Sequence, residues 1–154
     1  MSTAADFPPV AQVVPHRGAM LLLERVLAHD GDHTAARVLA GRGGWLQRDD
    51  GSVPAWLALE YMAQCAAAHE GLLARAEGRP LPRGFLITAR TLCLHRSHFT
   101  GGEPLRVEAR RARGRPGLGA LSHSCSVYAG SDAEAAAVVA SGRLSVSVEA
   151  ASQS

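Results

Sequence analysis

One stretch limits the choice of fold more than any other. Residues 54–77 read Pro-Ala-Trp-Leu-Ala-Leu-Glu-Tyr-Met-Ala-Gln-Cys-Ala-Ala-Ala-His-Glu-Gly-Leu-Leu-Ala-Arg-Ala-Glu, nearly all good helix formers. Asp49, Asp50 and Ser52 offer capping oxygens ahead of it, Pro54 suits a first helical turn, and Gly78 and Pro80 end it. The spacing predicts one long helix over 54–77. Ala63, Ala66, Ala67 and Ala68 leave little side chain on it, so neighbouring backbone can come close and the helix is expected to be enveloped.

Strand-like sequence lies on both sides of that helix. Residues 20–29 and 33–40 are apolar-rich runs split by Asp30-Gly31-Asp32, the signal of a β-hairpin. Residues 41–52 are Gly-rich and charged, as a loop should be. After Pro82 the pattern turns to period two at 85–88, 91–94, 105–108, 121–128 and 144–148, broken at 101–102, 114–119 and 130–132. Two strands, a central helix and a four-strand antiparallel meander give an α+β fold with the helix against one face of a curved sheet. At 154 residues the chain fits one domain, 1–154, with an ordered core over about 12–149 and both ends frayed.

Several functional classes drop out. The formal net charge is only +2, the arginines are scattered, and five Phe and Tyr residues give few platforms for stacking on bases, so no nucleic-acid partner is expected. All the cationic side chains are Arg, and the absence of Lys excludes Schiff-base chemistry. Cys65, Cys93 and Cys125 are odd in number and form no CxxC pair, against a disulfide framework or zinc site. His95 and His98 have no third ligand at suitable spacing, so no metal is expected. The first residues carry neither a basic nor an apolar leader segment, and no window reaches the roughly 18 apolar residues of a membrane span. A cytoplasmic protein away from membranes is the expectation. GxSxG, P-loop, GxGxxG and HExxH patterns are missing, which leaves serine hydrolases, nucleotide-dependent enzymes and zincins without a motif. No cofactor is called for.

What remains is acid-base chemistry. Glu60 stands in the apolar run around Trp56-Leu57-Ala58-Leu59. A dry setting raises a carboxyl's pKa toward the range of a useful acid; the other reading is a solvated helix Glu. Gln64, one turn on, can bond Glu60 or a substrate amide. His16, in Pro15-His16-Arg17-Gly18 ahead of the first strand, is the best candidate base, or else a loop histidine bonded to backbone. His69, nine residues from Glu60, falls on the opposite helical face and is expected to be exposed, as are His29 and His33 beside the hairpin turn. His123 shares a face with Leu121, Cys125 and Val127 and is expected to point toward the helix.

Two segments, 14–26 (Val-Pro-His-Arg-Gly-Ala-Met-Leu-Leu-Leu-Glu-Arg-Val) and 53–64 (Val-Pro-Ala-Trp-Leu-Ala-Leu-Glu-Tyr-Met-Ala-Gln), resemble the hotdog-fold β-hydroxyacyl-ACP dehydratases of the FabZ/FabA kind. Within that group they are closest to the dehydratase-like proteins of aryl polyene pigment clusters; residues 92–103 and 141–143 follow more loosely, so the likeness spans roughly 12–149. The resemblance implies a long helix wrapped by an antiparallel sheet. It also implies a dimer, homomeric or with another hotdog subunit, and an acyl carrier protein thioester as substrate. Glu60 occupies the family's acidic helix position. The family's partner histidine lies in a Gly-His-Phe-Pro-Gly loop ahead of the helix, whereas this chain has Gly43-Gly44-Trp45-Leu46-Gln47-Arg48 there. Either His16 has taken over as base or the chain is a non-catalytic subunit.

A 3-hydroxyacyl-ACP dehydratase is thus expected, with Glu60 as acid and His16 as base. Gln64 and Arg17 are expected to bind substrate, and the backbone N–H groups of Ala55 and Trp56 at the helix start to stabilise an enolate oxygen. The rival reading is an acyl thioesterase, since hotdog thioesterases also use a helix carboxylate. Arg17, Arg96 and the arginines of 110–115 are candidates to meet an acidic carrier, or else solvated surface.

Overall fold

The hairpin forms where Asp-Gly foretold it. In the computed structural model, which describes residues 6–44, 46–112, 120–130 and 137–149, strands β1 (Leu23–His29) and β2 (His33–Leu39) pair antiparallel. Asp30 closes the turn: its Oδ1 accepts from the N–H groups of Asp32 (2.8 Å) and His33 (2.9 Å).

The helix starts later than its sequence suggests. Ser52–Pro54 is a short strand, β3, and a single 3-10 turn over Ala55–Leu57 leads into α1 (Ala58–Ala76). Asp50 does not cap the helix: its Oδ1 accepts from the Ser52 N–H and hydroxyl and shapes the turn into β3. No side chain caps the α1 N-terminus. The C-terminus ends as expected. Gly78 adopts φ +67°, with the Gly78 N–H on Arg75 O (3.2 Å) and the Arg79 N–H on Ala74 O (2.8 Å), which is a Schellman motif.

Five strands follow the helix: β4 (Arg83–Leu94), β5 (His98–Thr100), β6 (Pro104–Arg111), β7 (Ala120–Ala129) and β8 (Val138–Glu149). Residues 85–88 and 91–94, which read as separate runs, form one strand bent at Thr91, where φ is +52° and the register with β8 shifts. The short β5 escaped the period-two pattern; it pairs with β3 in a two-stranded sheet. The main sheet has the order β1-β2-β6-β7-β8-β4. Only β6, β7 and β8 form the meander; β4 crosses to the far edge and pairs with β8. The breaks expected at 114–119 and 131–132 lie outside the described residues.

Helix α1 lies against one face of this six-stranded sheet. Alternate residues Leu105, Val107 and Ala109 of β6 and His123, Cys125 and Val127 of β7 are buried, facing Tyr61, Met62, Cys65, Ala66 and Ala68 of the helix. Residues 10–22 run across the helix as a strap, which buries Val10, Val13, Val14 and Leu22. Wrapped by strap and sheet, α1 is enclosed on most sides, as its alanines imply.

Candidate functional site

The strap brings His16 to Glu60. The His16 Nε2 lies 3.6 Å from Glu60 Oε1, so two groups far apart in sequence meet within one chain. Glu60 is set in the first turn of α1. Gln64, one turn further, is completely buried and spends its amide on both partners: Nε2 donates to Glu60 Oε1 (3.1 Å) and to Met20 O (2.7 Å), and Oε1 accepts from the Leu22 N–H (2.9 Å). Both amide protons are committed, so Gln64 ties the strap to the helix and orients Glu60.

Glu60 is less dry than expected from its apolar neighbours. Its side chain is 35% exposed and that of His16 is 26% exposed, so solvent reaches the pair. Burial lowers the His16 pKa below the ordinary histidine value; Glu60 opposes this and Arg17 adds to it. The net lowering favours the neutral imidazole. Its Nδ1 is shut away from water with no partner among the described residues.

Arg17 turns inward on its own segment, its Nη1 donating to Val14 O and His16 O at 2.7 Å each. It braces the strap beneath His16. Of the two amides at the helix start, that of Ala55 is taken by Ser97 O (3.2 Å), while the Trp56 side chain projects into solvent.

Other sequence candidates fall elsewhere. Arg96 is held in a two-pronged ion pair by Glu103 (2.7 and 2.8 Å) and lies over the Phe99 ring. Arg110 is exposed, Arg111 pairs with Glu70, and Arg113 and Arg115 lie outside the described residues. Neither His95 nor His98 is buried, and among the described residues no cluster of His, Cys, Asp or Glu suits a metal ion.

His69 corrects the sequence reading outright. It is wholly buried, its Nδ1 2.8 Å from Thr34 Oγ1, because the face of α1 opposite Glu60 packs on the sheet instead of meeting water. His29 is drawn in too, bonding the same hydroxyl at 2.7 Å, and His33 lies 3.6 Å from Glu108. His123 does point at the helix, where its Nε2 meets Glu70 Oε1 at 3.0 Å, and Arg111 Nη2 meets Glu70 Oε2 at 2.9 Å. Glu70 had no signal in the sequence beyond its place among alanines; its partners come from β6 and β7. Burial alone raises its pKa, but the bond from His123 and the charge of Arg111 leave it lowered. Burial also pushes His69 down to about 4.

A family model described as ApeP dehydratase, of the ApeP-like group, matches residues 8–154. The chain belongs to the ApeP-like dehydratase family. It is therefore of the lyase class. Among solved structures it is similar to the dehydratase heterocomplex ApeI:P from Xenorhabdus doucetiae, at 23% identity and TM-score 0.80 over 93% of this chain and 92% of that one. It is similar also to Cj0977, a sigma28-regulated virulence protein from Campylobacter jejuni (12%, TM-score 0.62, 91% and 95% covered). A hypothetical thioesterase with coenzyme A from Streptococcus pneumoniae TIGR4 follows at 7% identity, TM-score 0.58, with 82% and 85% covered. No curated protein matches the chain. These structural likenesses establish the hotdog fold, a long helix wrapped by a curved antiparallel sheet, and the family model establishes the dehydratase assignment. No helix among the described residues is long and apolar enough to cross a membrane.

Proposed function

We propose that the chain dehydrates 3-hydroxyacyl groups carried as thioesters on an acyl carrier protein, with His16 as base and Glu60 as acid, in an aryl polyene or fatty-acid-like pathway. The observation that carries this reading is the 3.6 Å approach of His16 Nε2 to Glu60 Oε1, both partly exposed, in a chain that lacks the loop histidine of its resemblance.

The chemistry needs both groups. A neutral imidazole takes the α proton, the electron pair forms the new double bond, and the β C–O bond breaks as Glu60 gives its proton to the departing hydroxyl, which leaves as water. The imidazolium and carboxylate left behind stand close enough to reset by returning the proton. Negative charge on the thioester oxygen is met by the Trp56 N–H at the head of the helix, since Ala55 is already engaged.

A second hotdog subunit completes the reading. Strand β4 is an edge of the sheet, and Leu92 and Leu94 stand exposed on it. The ApeI:P likeness is to a heterocomplex, which supports a partner of the same fold.

The test supplies a 3-hydroxyacyl thioester of an acyl carrier protein to the chain alone and with copurified hotdog partners, and follows the enoyl product. Enoyl formation lost in Glu60→Gln and in His16→Asn supports the proposal. Release of free thiol without enoyl product replaces it with a thioesterase. Unchanged activity of a mixed complex after Glu60→Gln makes this chain a non-catalytic subunit.

A further inference from the structure

Gly71 lies eleven residues beyond Glu60, three turns at about 100° per residue, and so on the same stripe of the helix as Glu60 and Gln64. The strap runs along that stripe. A Cβ built at Gly71 would stand 1.9 Å from the Val13 carbonyl oxygen, 2.8 Å from its carbon and 3.1 Å from Leu81 Cδ1. No side chain fits there. The helical backbone at this position puts no demand on glycine, and glycine weakens a helix interior relative to alanine. In a helix otherwise rich in alanine, the residue is explained by the space it leaves.

That space fixes the strap at one end. The other end is fixed where Gln64 holds Met20 O and the Leu22 N–H. His16 is carried between the two anchors, three residues after Val13, on a segment that Arg17 braces internally. Moving the Val13 carbonyl outward therefore moves the imidazole relative to Glu60.

We infer that Gly71 is a positioning residue for the proposed dehydration: by admitting the Val13 carbonyl against the helix it sets where His16 stands. This rests on the His16 and Glu60 reading and goes beyond it, because Gly71 touches neither reacting group. Misplacement of a reacting group by about 1 Å costs on the order of a hundredfold in rate.

The experiment compares the full chain, with its partner where one copurifies, as wild type, Gly71→Ala and Val127→Ala. Val127 is buried on β7, paired with Val107 and Ala140 within the sheet, and serves as a control for lost stability. Steady-state kinetics are combined with NMR titration of the His16 imidazole, assigned by its disappearance in His16→Asn. Gly71→Ala is expected to lower kcat about 10- to 100-fold with KM within about twofold. Its His16 titration should move up toward the ordinary histidine value as the ring loses cover, while Val127→Ala changes neither. A Gly71→Ala protein that keeps wild-type kcat and an unmoved His16 titration overturns the inference. If Gly71→Ala yields no soluble protein, Val13→Gly loosens the same contact from the strap side, and the same two readouts decide. The outcomes separate the two ideas: full activity in His16→Asn removes the underlying reading, whereas activity lost there but kept in Gly71→Ala removes only the role of Gly71.

Discussion

Helix α1 carries two carboxylates, and each faces a histidine. Glu60 meets His16 at 3.6 Å, with about a third of its side chain in contact with solvent. Glu70 meets His123 at 3.0 Å and Arg111 at 2.9 Å, and is only 8% exposed. The second pair has the better geometry and the deeper burial, which is why it suits structure rather than turnover. Its proton acceptors are already filled, and His123 is completely enclosed by the sheet. The first pair is longer than a hydrogen bond and partly open to solvent. A tightly paired buried carboxylate is costly to break; an incompletely paired one leaves chemistry to be done.

The contrast breaks or holds on four measurements. The largest effect is expected from Glu60→Gln, which should cost about 10²- to 10⁴-fold in enoyl formation and leave the melting temperature nearly unchanged. Rate loss accompanied by a comparable loss of stability would put Glu60 in the structural class with Glu70. The converse substitution, Glu70→Ala, leaves His123 and Arg111 without their partner. It should destabilise the fold by about 2–4 kcal/mol, below the full figure for a buried pair because Arg111 reaches solvent, with turnover per folded molecule retained. Chemical denaturation together with active-site-normalised rates checks it.

The third measurement is stability against pH. The folded protein holds His69 neutral down to about pH 4, while the unfolded chain protonates it near 6.5, so the unfolded state binds more protons between these values. Stability should therefore fall by about 2–3 kcal/mol as pH drops from 6.5 to 4, and then level for this group. Glu70, lowered in the fold, works in the same direction below its unfolded value. Denaturant midpoints across this range should flatten in His69→Gln, and an equally steep fall in that variant would deny His69 the role. The smallest effect concerns His16. Its lowered pKa places the acid limb of the rate profile below pH 6.5, and Arg17→Met, which removes one lowering charge, should raise that limb by a few tenths of a pH unit.

Much of the architecture was legible because local chemistry decided it. Asp30-Gly31-Asp32 makes the hairpin, Gly78 closes the helix, and the alternation in 105–108 and 121–128 gives the faces of β6 and β7. The resemblance rested on short segments, and the family they indicated is the one the chain belongs to. What failed was non-local. The edge position of β4 depends on a crossover to β8, and β5 is a three-residue strand that exists only because β3 lies opposite it. His69 was expected in water because helical periodicity tells which residues share a face, not what covers each face. In the site, the approach of His16 to Glu60 follows from the strap's path, which turns on Gly71 and Gln64; neither contact is written in a motif. Gln64 was read as a partner of Glu60 or of a substrate; it does bond Glu60, and its further bonds to the strap had no signal in the sequence.

The strap contributes no strand to the six-stranded sheet, yet it brings the imidazole. The proposed base and the proposed acid are thus carried by separate stretches of chain, the strap and the helix. On the proposed reading, a lineage can exchange or silence the base by editing the His16 codon alone, while Val10, Val13, Val14 and Leu22 go on holding the strap against the helix.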